Sequence, residues 1–216
     1  METATRTSDV STSFLEMQER LALLIRGGYV ENSPAIRRVL SEAVADDLWL
    51  RHFVDGCLHD PNHRKLCSSQ SFPVYVSDTH AVRLNLWFPV GRFSEEVNRL
   101  VDEYFSIDVC HNHSFDFFTV GALGPGYETT FHEARELPDD PEVGREMDFA
   151  RTWSFRLERE QAVFVPAGTH FHVQHAPAEF SMSLNLIPSH QTCGTLPQII
   201  LGSDHRTIDR VIRRVR

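Results

Sequence analysis

Two histidines separated by one residue, His111 and His113 in Cys110-His111-Asn112-His113-Ser114-Phe115-Asp116-Phe117, are the first residues in the chain with a spacing that suggests chemistry. Alternate side chains of an extended strand share a face, so the two imidazoles can chelate one divalent ion. A lone pair of this kind equally serves as the polar face of a sheet. Roughly sixty residues on, however, comes a proline-glycine turn, Pro166-Ala167-Gly168, followed by His170, His172 and His175. Six of the twelve histidines fall between 111 and 175. Two histidine-bearing segments of this type can build one nitrogen-rich metal site, provided the fold brings them together.

The elements that must position these residues are short strands. From about residue 72 the sequence breaks into alternating segments punctuated by Gly, Pro and Asp, as in sandwiches and barrels. Strands are expected at 73–77, 81–88, 110–123, 127–134, 152–158, 162–165, 170–175 and 181–187, with 137–146 as an exposed hairpin tip. Two helices precede them. Residues 14–26 carry a helical apolar stripe that stops at Gly27-Gly28. Ser33 and Pro34 then suit the start of a second helix, running to near His59 before Pro61. At the other end, Arg206, Arg210, Arg213, Arg214 and Arg216 alternate with Ile208, Val211, Ile212 and Val215 at helical spacing, which predicts an amphipathic C-terminal helix. The expected organisation is a flexible N-terminus (1–12), a helical segment packed on the barrel (13–70), a β-barrel (71–204) and the C-terminal helix (205–216). The fold class is therefore mainly β.

Composition excludes several functions. A net charge of −9 argues against phosphate neutralisation, hence against nucleic acid as a partner. No run of apolar residues approaches the roughly 18–20 needed for a membrane span, and the polar N-terminus has no signal-peptide core, so a cytoplasmic protein is expected. Cys57, Cys67, Cys110 and Cys193 form no CxxC pair, which reads as ordinary reduced thiols. Cys110 neighbours His111 and so points to the opposite face.

Over about residues 72–190 the chain resembles the cupin superfamily. His111-Asn112-His113 matches the pair in the first cupin motif, Gly121 through Gly126 the glycine-rich turn that follows it, and Pro166-Ala167-Gly168 the opening of the second motif. The resemblance implies a jelly-roll β-barrel around one metal. The chain departs from the pattern twice. The usual glutamate, four or five residues after the second histidine, is replaced by Phe117 and Phe118; Asp116 has the wrong parity to substitute without a bulge. The histidine expected three residues after the glycine is Phe171, flanked by His170 and His172. His172 is favoured as the third ligand, with His170 in reserve.

A site of three histidines without the glutamate resembles the thiol dioxygenase branch of the cupins, typified by cysteine dioxygenase. That resemblance implies Fe(II), O2 and a small amino-acid-like substrate such as a thiol, with an arginine from an earlier strand binding the substrate carboxylate. Arg83 in Val82-Arg83-Leu84-Asn85-Leu86-Trp87 is similarly placed, on a face shared with Asn85 and Trp87. Phe115 and Phe117 have the parity to wall a pocket, and Gln174 to orient a ligand, while His132, Glu133 and His175 are outlying candidates. A metal-dependent isomerase or epimerase, and a ligand-sensing cupin without turnover, are the alternative readings. The family analogy also allows a homodimer.

Overall fold

The computed structural model describes residues 5–45, 49–50, 53, 70–89, 94–96, 107–189 and 196–213. Two helices come first, α1 (Thr5–Arg26) and α2 (Ser33–Ala45). Ten strands follow: β1 (Ser71–Val76), β2 (His80–Trp87), β3 (Phe117–Leu123), β4 (Tyr127–Ala134), β5 (Phe149–Leu157), β6 (Ala162–Val165), β7 (His170–Gln174), β8 (Ser181–Pro188), β9 (Gln198–Leu201) and β10 (Ile208–Ile212).

One sheet runs β1-β2-β8-β3-β6. The other contains β5-β4-β7 and the hairpin β10-β9, joined by the segment that carries the first histidine pair. His111 forms an antiparallel bridge to His172 of β7 on one side and to Ile200 of β9 on the other. From β5 to β9 the chain alternates between the two sheets at every strand, as in a jelly roll.

The outer face of the first sheet is covered by the helices. Phe14, Leu21, Ile25, Ile36, Leu40 and Val44 pack on Val82, Leu84, Phe118, Val120, Leu184 and Leu186 in one buried cluster. The alternate residues of the same strands point the other way, into a cavity between the sheets. The period of two thus divides β2 cleanly, with Val82 and Leu84 towards the helices and Arg83, Asn85 and Trp87 towards the cavity.

Three local expectations need correction. The C-terminal helix of 205–216 is a strand in its described part: Ile208–Ile212 pairs with β9. A register shift between Ile208 and Arg210 inserts one residue. It thereby brings Ile208 and Val211 to the same apolar cluster and mimics helical spacing in the sequence. At the other end, α1 begins at Thr5, so residues 5–12 are helical rather than a flexible leader; no Gly or Pro interrupts the run from 5 to 26. The strand expected over 110–123 starts only at Phe117, because side-chain bonds from Asn112 and Asp116 replace a regular ladder before it. The 137–146 loop is the exposed tip of the β4–β5 hairpin, as expected, and is held there by Arg213, which pairs with Asp140, and by the Gly144 amide, which donates to the Ile208 carbonyl at 2.8 Å.

The second helix caps one residue earlier than its sequence suggests, since the Ile36 amide donates to the Asn32 carbonyl at 2.9 Å. Trp49, Leu50 and Phe53 are helical, while the rest of the expected run to His59 lies outside the described residues, as do Cys57, Cys67 and Cys193. Cys110 is a free, buried thiol whose pKa burial pushes up to about 12. No described helix is long and apolar enough to cross a membrane.

Candidate metal centre

His111, His113 and His172 converge on one point: one ring nitrogen from each lies within 4.8 Å of the other two. The convergence is built by backbone pairing. The His111 amide donates to the His172 carbonyl at 3.1 Å and the His172 amide returns a bond to His111 at 2.8 Å. This two-way pair fixes the third histidine beside the first. Asn112, between the paired histidines, points the other way and is wholly buried. Its Nδ2 donates to the Gly168 carbonyl at 2.8 Å, and its Oδ1 accepts from the Ile199 amide at 2.6 Å. The Gly168 amide donates to the His113 carbonyl at 2.9 Å, so the two histidine segments are stitched from both ends. Gly168 has φ +77°, a conformation that side-chain-bearing residues rarely adopt.

Asp116, the carboxylate of wrong parity, has a different job. It accepts from the Ala167 amide and from the Tyr29 hydroxyl, each at 2.5 Å, tying both histidine segments to the connection between α1 and α2. The glutamate position of the cupin pattern resolves to Phe117, because Phe118 faces the helices. The Phe117 ring stands edge-on to His113 with centroids 5.0 Å apart and to His172 at 6.0 Å. Phe115 and Phe131 complete an aromatic wall around the histidines, at 4.9 Å from His113 and 5.9 Å from His172.

Burial lowers the pKa of all three histidines. For His113 the positive charge of Arg83 adds to that of a protonated His111, and His172 is depressed further by its histidine neighbours. All three are therefore neutral near pH 7, with lone pairs available. The Nδ1 of His111 lies 2.9 Å from the Val109 carbonyl, which can only accept. Nδ1 must carry the proton and Nε2 is left free as a ligand atom. Among the described residues neither ring nitrogen of His172 has a hydrogen-bond partner, although the residue is only 1% exposed. A buried imidazole without partners is costly unless something else satisfies it. A divalent ion held by His111, His113 and His172 would do so, since neutral imidazole nitrogens are common ligands of such ions.

The other histidines stay apart. His170 shares the face of His172 but lies against Trp153, with centroids 6.0 Å apart, and outside the converging group. His132 bonds Thr152 at 2.9 Å, and Glu133 pairs with Arg151 at 3.6 Å. His175 lies between Asp108 at 2.7 Å and Thr130 at 2.9 Å, on the outside of the sheet.

The histidines open into a cavity of about 260 Å³. Backbone register divides its walls into layers. Phe117, Phe131, Val165 and Ile187 surround the histidines. Arg83, Thr119, Asn185, Thr129 and Gln174 form a polar middle. Beyond them Trp87 and Tyr127 lie with ring centroids 4.2 Å apart, both donating to Ser183. Arg83 lines this cavity and keeps access to solvent. Among the described residues no Asp or Glu lines it. Sequence reasoning passed over Asn112, Tyr127, Ser183 and Asn185. The alternation of Ser183 and Asn185 with Leu184 and Leu186 was the available signal for the last two.

No protein-family model matches the chain, nor does the sequence of any curated protein. Solved structures do match. A cupin domain from Bordetella pertussis is 13% identical over 57% of this chain and 97% of its own, with a TM-score of 0.32. Hydroquinone 1,2-dioxygenase from Sphingomonas, with 4-hydroxybenzoate bound, is 9% identical over 59% and 70%, with a TM-score of 0.35. A structure of DMSP lyases is 16% identical over 56% and 48%, with a TM-score of 0.33, so the chain spans about half of that length. The fold itself is mainly β, two antiparallel sheets facing each other across a cavity.

Proposed function

We propose that the protein is a mononuclear non-haem iron oxygenase in which His111, His113 and His172 hold Fe(II) and Arg83 binds the carboxylate of a small substrate. The observation that carries this reading is a cavity with three convergent neutral imidazoles at one end, one guanidinium on its wall and no lining carboxylate among the described residues. Neutral ligands leave the charge of a dication uncompensated, so the site favours an anionic substrate. A bound Fe(II) supplies the one-electron chemistry that O2 needs to react with a closed-shell organic molecule.

The residues of the chain do the rest. Arg83 presents a planar fork of donors to a carboxylate and fixes the substrate's orientation. Phe115, Phe117 and Phe131 keep water from the reacting end, and the bond from His111 to Val109 holds its ring in the ligating tautomer. An aminothiol such as cysteine suits the site, because its carboxylate and thiolate are both anionic.

An isomerase or epimerase that works by proton transfer needs a base at carbon, and among the described residues no carboxylate lines the cavity for that task. Its one phenol, Tyr127, is pushed up to about 12 by burial, which makes it a poor base. The test is oxygen uptake by untagged, Fe(II)-loaded protein against a panel of amino acids and thiols. Uptake coupled to loss of a carboxylate-bearing substrate is expected. Turnover without O2, or ligand binding without any turnover, would overturn the oxygenase reading.

A further inference from the structure

Asn185 sits in the polar middle layer of the cavity, and its Oδ1 is shut off from solvent with no hydrogen-bond partner among the described residues. A buried amide oxygen without a donor destabilises the fold, and such groups in folded proteins call for an explanation. Its neighbours supply one. In the β2–β8 ladder Asn185 is directly opposite Arg83, and in the β3–β8 ladder it is opposite Thr119. Directly opposed side chains start from Cβ atoms about 4.5–5.5 Å apart, so one small molecule can touch both Arg83 and Asn185.

We propose that Asn185 is the second recognition residue of the cavity: on a turn of its amide about the Cβ–Cγ bond, its Oδ1 leaves the unpaired position and accepts a hydrogen bond from an amine or hydroxyl carried beside the carboxylate that Arg83 binds. This assigns the substrate class as small 2-amino or 2-hydroxy acids, and it rests on the reading of Arg83 given above. Two residues along the strand from Asn185 is Ile187, in the layer of the histidines. That step is about 7 Å, so the end of such a molecule remote from its carboxylate points at the metal centre. Middle-layer groups near Asn185 are otherwise amides and hydroxyls, with no acidic side chain to attract an amine in its place.

The experiment measures binding, so it does not depend on oxygen chemistry. Dissociation constants for propanoate, lactate and alanine are determined by calorimetry on the full chain with its own metal, for wild type, Asn185→Leu and Arg83→Gln. Chelation by lactate or alanine contributes equally in wild type and Asn185→Leu, so comparing their preferences over propanoate isolates Asn185. Wild type is expected to prefer lactate or alanine, and Asn185→Leu to lose about tenfold of that preference, a typical loss for one neutral hydrogen bond. Because the substitution removes an unsatisfied buried group, its melting temperature should hold or rise.

An unchanged preference in Asn185→Leu, or no binding of any probe to wild type, overturns the proposal. If Asn185→Leu melts early, Asn185→Ser is the second variant; unchanged preference there overturns the proposal, and lost preference sustains it. Arg83→Gln should weaken all three probes. Should it leave them unaffected while Asn185→Leu still loses preference, Asn185 stands and the role of Arg83 falls. The relative strength of alanine and lactate tells an amine-bearing substrate from a hydroxyl-bearing one.

Discussion

The side chain of Asn112 donates from Nδ2 to the backbone carbonyl of Gly168 at 2.8 Å. The residue between the paired histidines is thus bonded to the turn that launches the strand of the third. Ligand spacing therefore depends on a residue that faces away from the ligands.

Asn112→Leu follows directly from this contact. It leaves the Gly168 carbonyl and the Ile199 amide buried without partners, which should cost about 3 kcal/mol of stability. By loosening ligand positions it should also weaken metal binding by roughly 10–100-fold. Urea denaturation and metal competition titrations measure the two effects separately. Full metal affinity in a destabilised Asn112→Leu would show that the ligands are positioned without it.

The ligand assignment predicts that His111→Ala, His113→Ala and His172→Ala each lose most bound metal, whereas His170→Ala keeps it. His170 has the same strand parity as His172, but only His172 is bridged to His111. Metal content by mass spectrometry of untagged protein is the measurement. The reverse ranking of His170 and His172 would move the third ligand.

Much of this arrangement was legible because side-chain alternation is a local property. Parity alone separated Arg83, Asn85 and Trp87 from the apolar residues between them, and put Gln174 with His172. The bounds of β4 and β6 followed from alternation and turn residues. Non-local features were harder. The choice of His172 over His170 is made by a bridge to a segment about sixty residues away. The bonds of Asp116 to Tyr29 and Ala167 leave no trace in spacing. The β9–β10 hairpin was missed because a bulge put Ile208 and Val211 three residues apart on one face, as a helix would.

Acid sensitivity is expected from His80, which is buried between Gln18 at 2.7 Å and Thr79 at 2.9 Å. Burial lowers its pKa from 6.5 to about 4, while the charge of Asp78 partly opposes the shift. Below 6.5 the unfolded chain takes up a proton that the folded chain refuses. The stability contribution is thus complete above 6.5 and is lost as pH falls towards 4. The shift corresponds to roughly 3 kcal/mol over that window. The buried ligand histidines act in the same direction when no metal is bound. Denaturation midpoints between pH 7 and 4 should fall steeply in wild type and less steeply in His80→Gln.

Arg83→Lys keeps the charge but loses the two parallel donors. The expected result is a fall of about tenfold or more in kcat/KM with the true substrate, at unchanged metal content. Arg83 touches neither the helix-facing core nor the histidine ladder, so the melting temperature should stay within about a degree or two. Steady-state oxygen uptake decides the matter. Identical kinetics in the lysine variant would return Arg83 to a bystander on the cavity wall.

Phe117→Glu tests whether the missing carboxylate defines the chemistry. The ring of Phe117 is edge-on to His113 and to His172, with centroids 5.0 and 6.0 Å away, where the usual cupin pattern has its glutamate. A glutamate there should add a charged fourth donor and tighten divalent-metal binding by tenfold or more, since hard carboxylate oxygens complement the neutral imidazoles. Without metal the same carboxylate would sit among Phe115, Phe131 and Val165, and its desolvation should lower the melting temperature. Metal addition should therefore raise the melting temperature of Phe117→Glu by more than that of wild type. At the same time the added negative charge should reduce use of anionic substrates, because the centre no longer needs an anion from outside. Calorimetric metal titration, melting curves with and without metal, and oxygen uptake give the three readouts. Unchanged metal affinity would mean that position 117 does not face the metal, and the missing carboxylate would then not account for the preference for an anionic substrate proposed above.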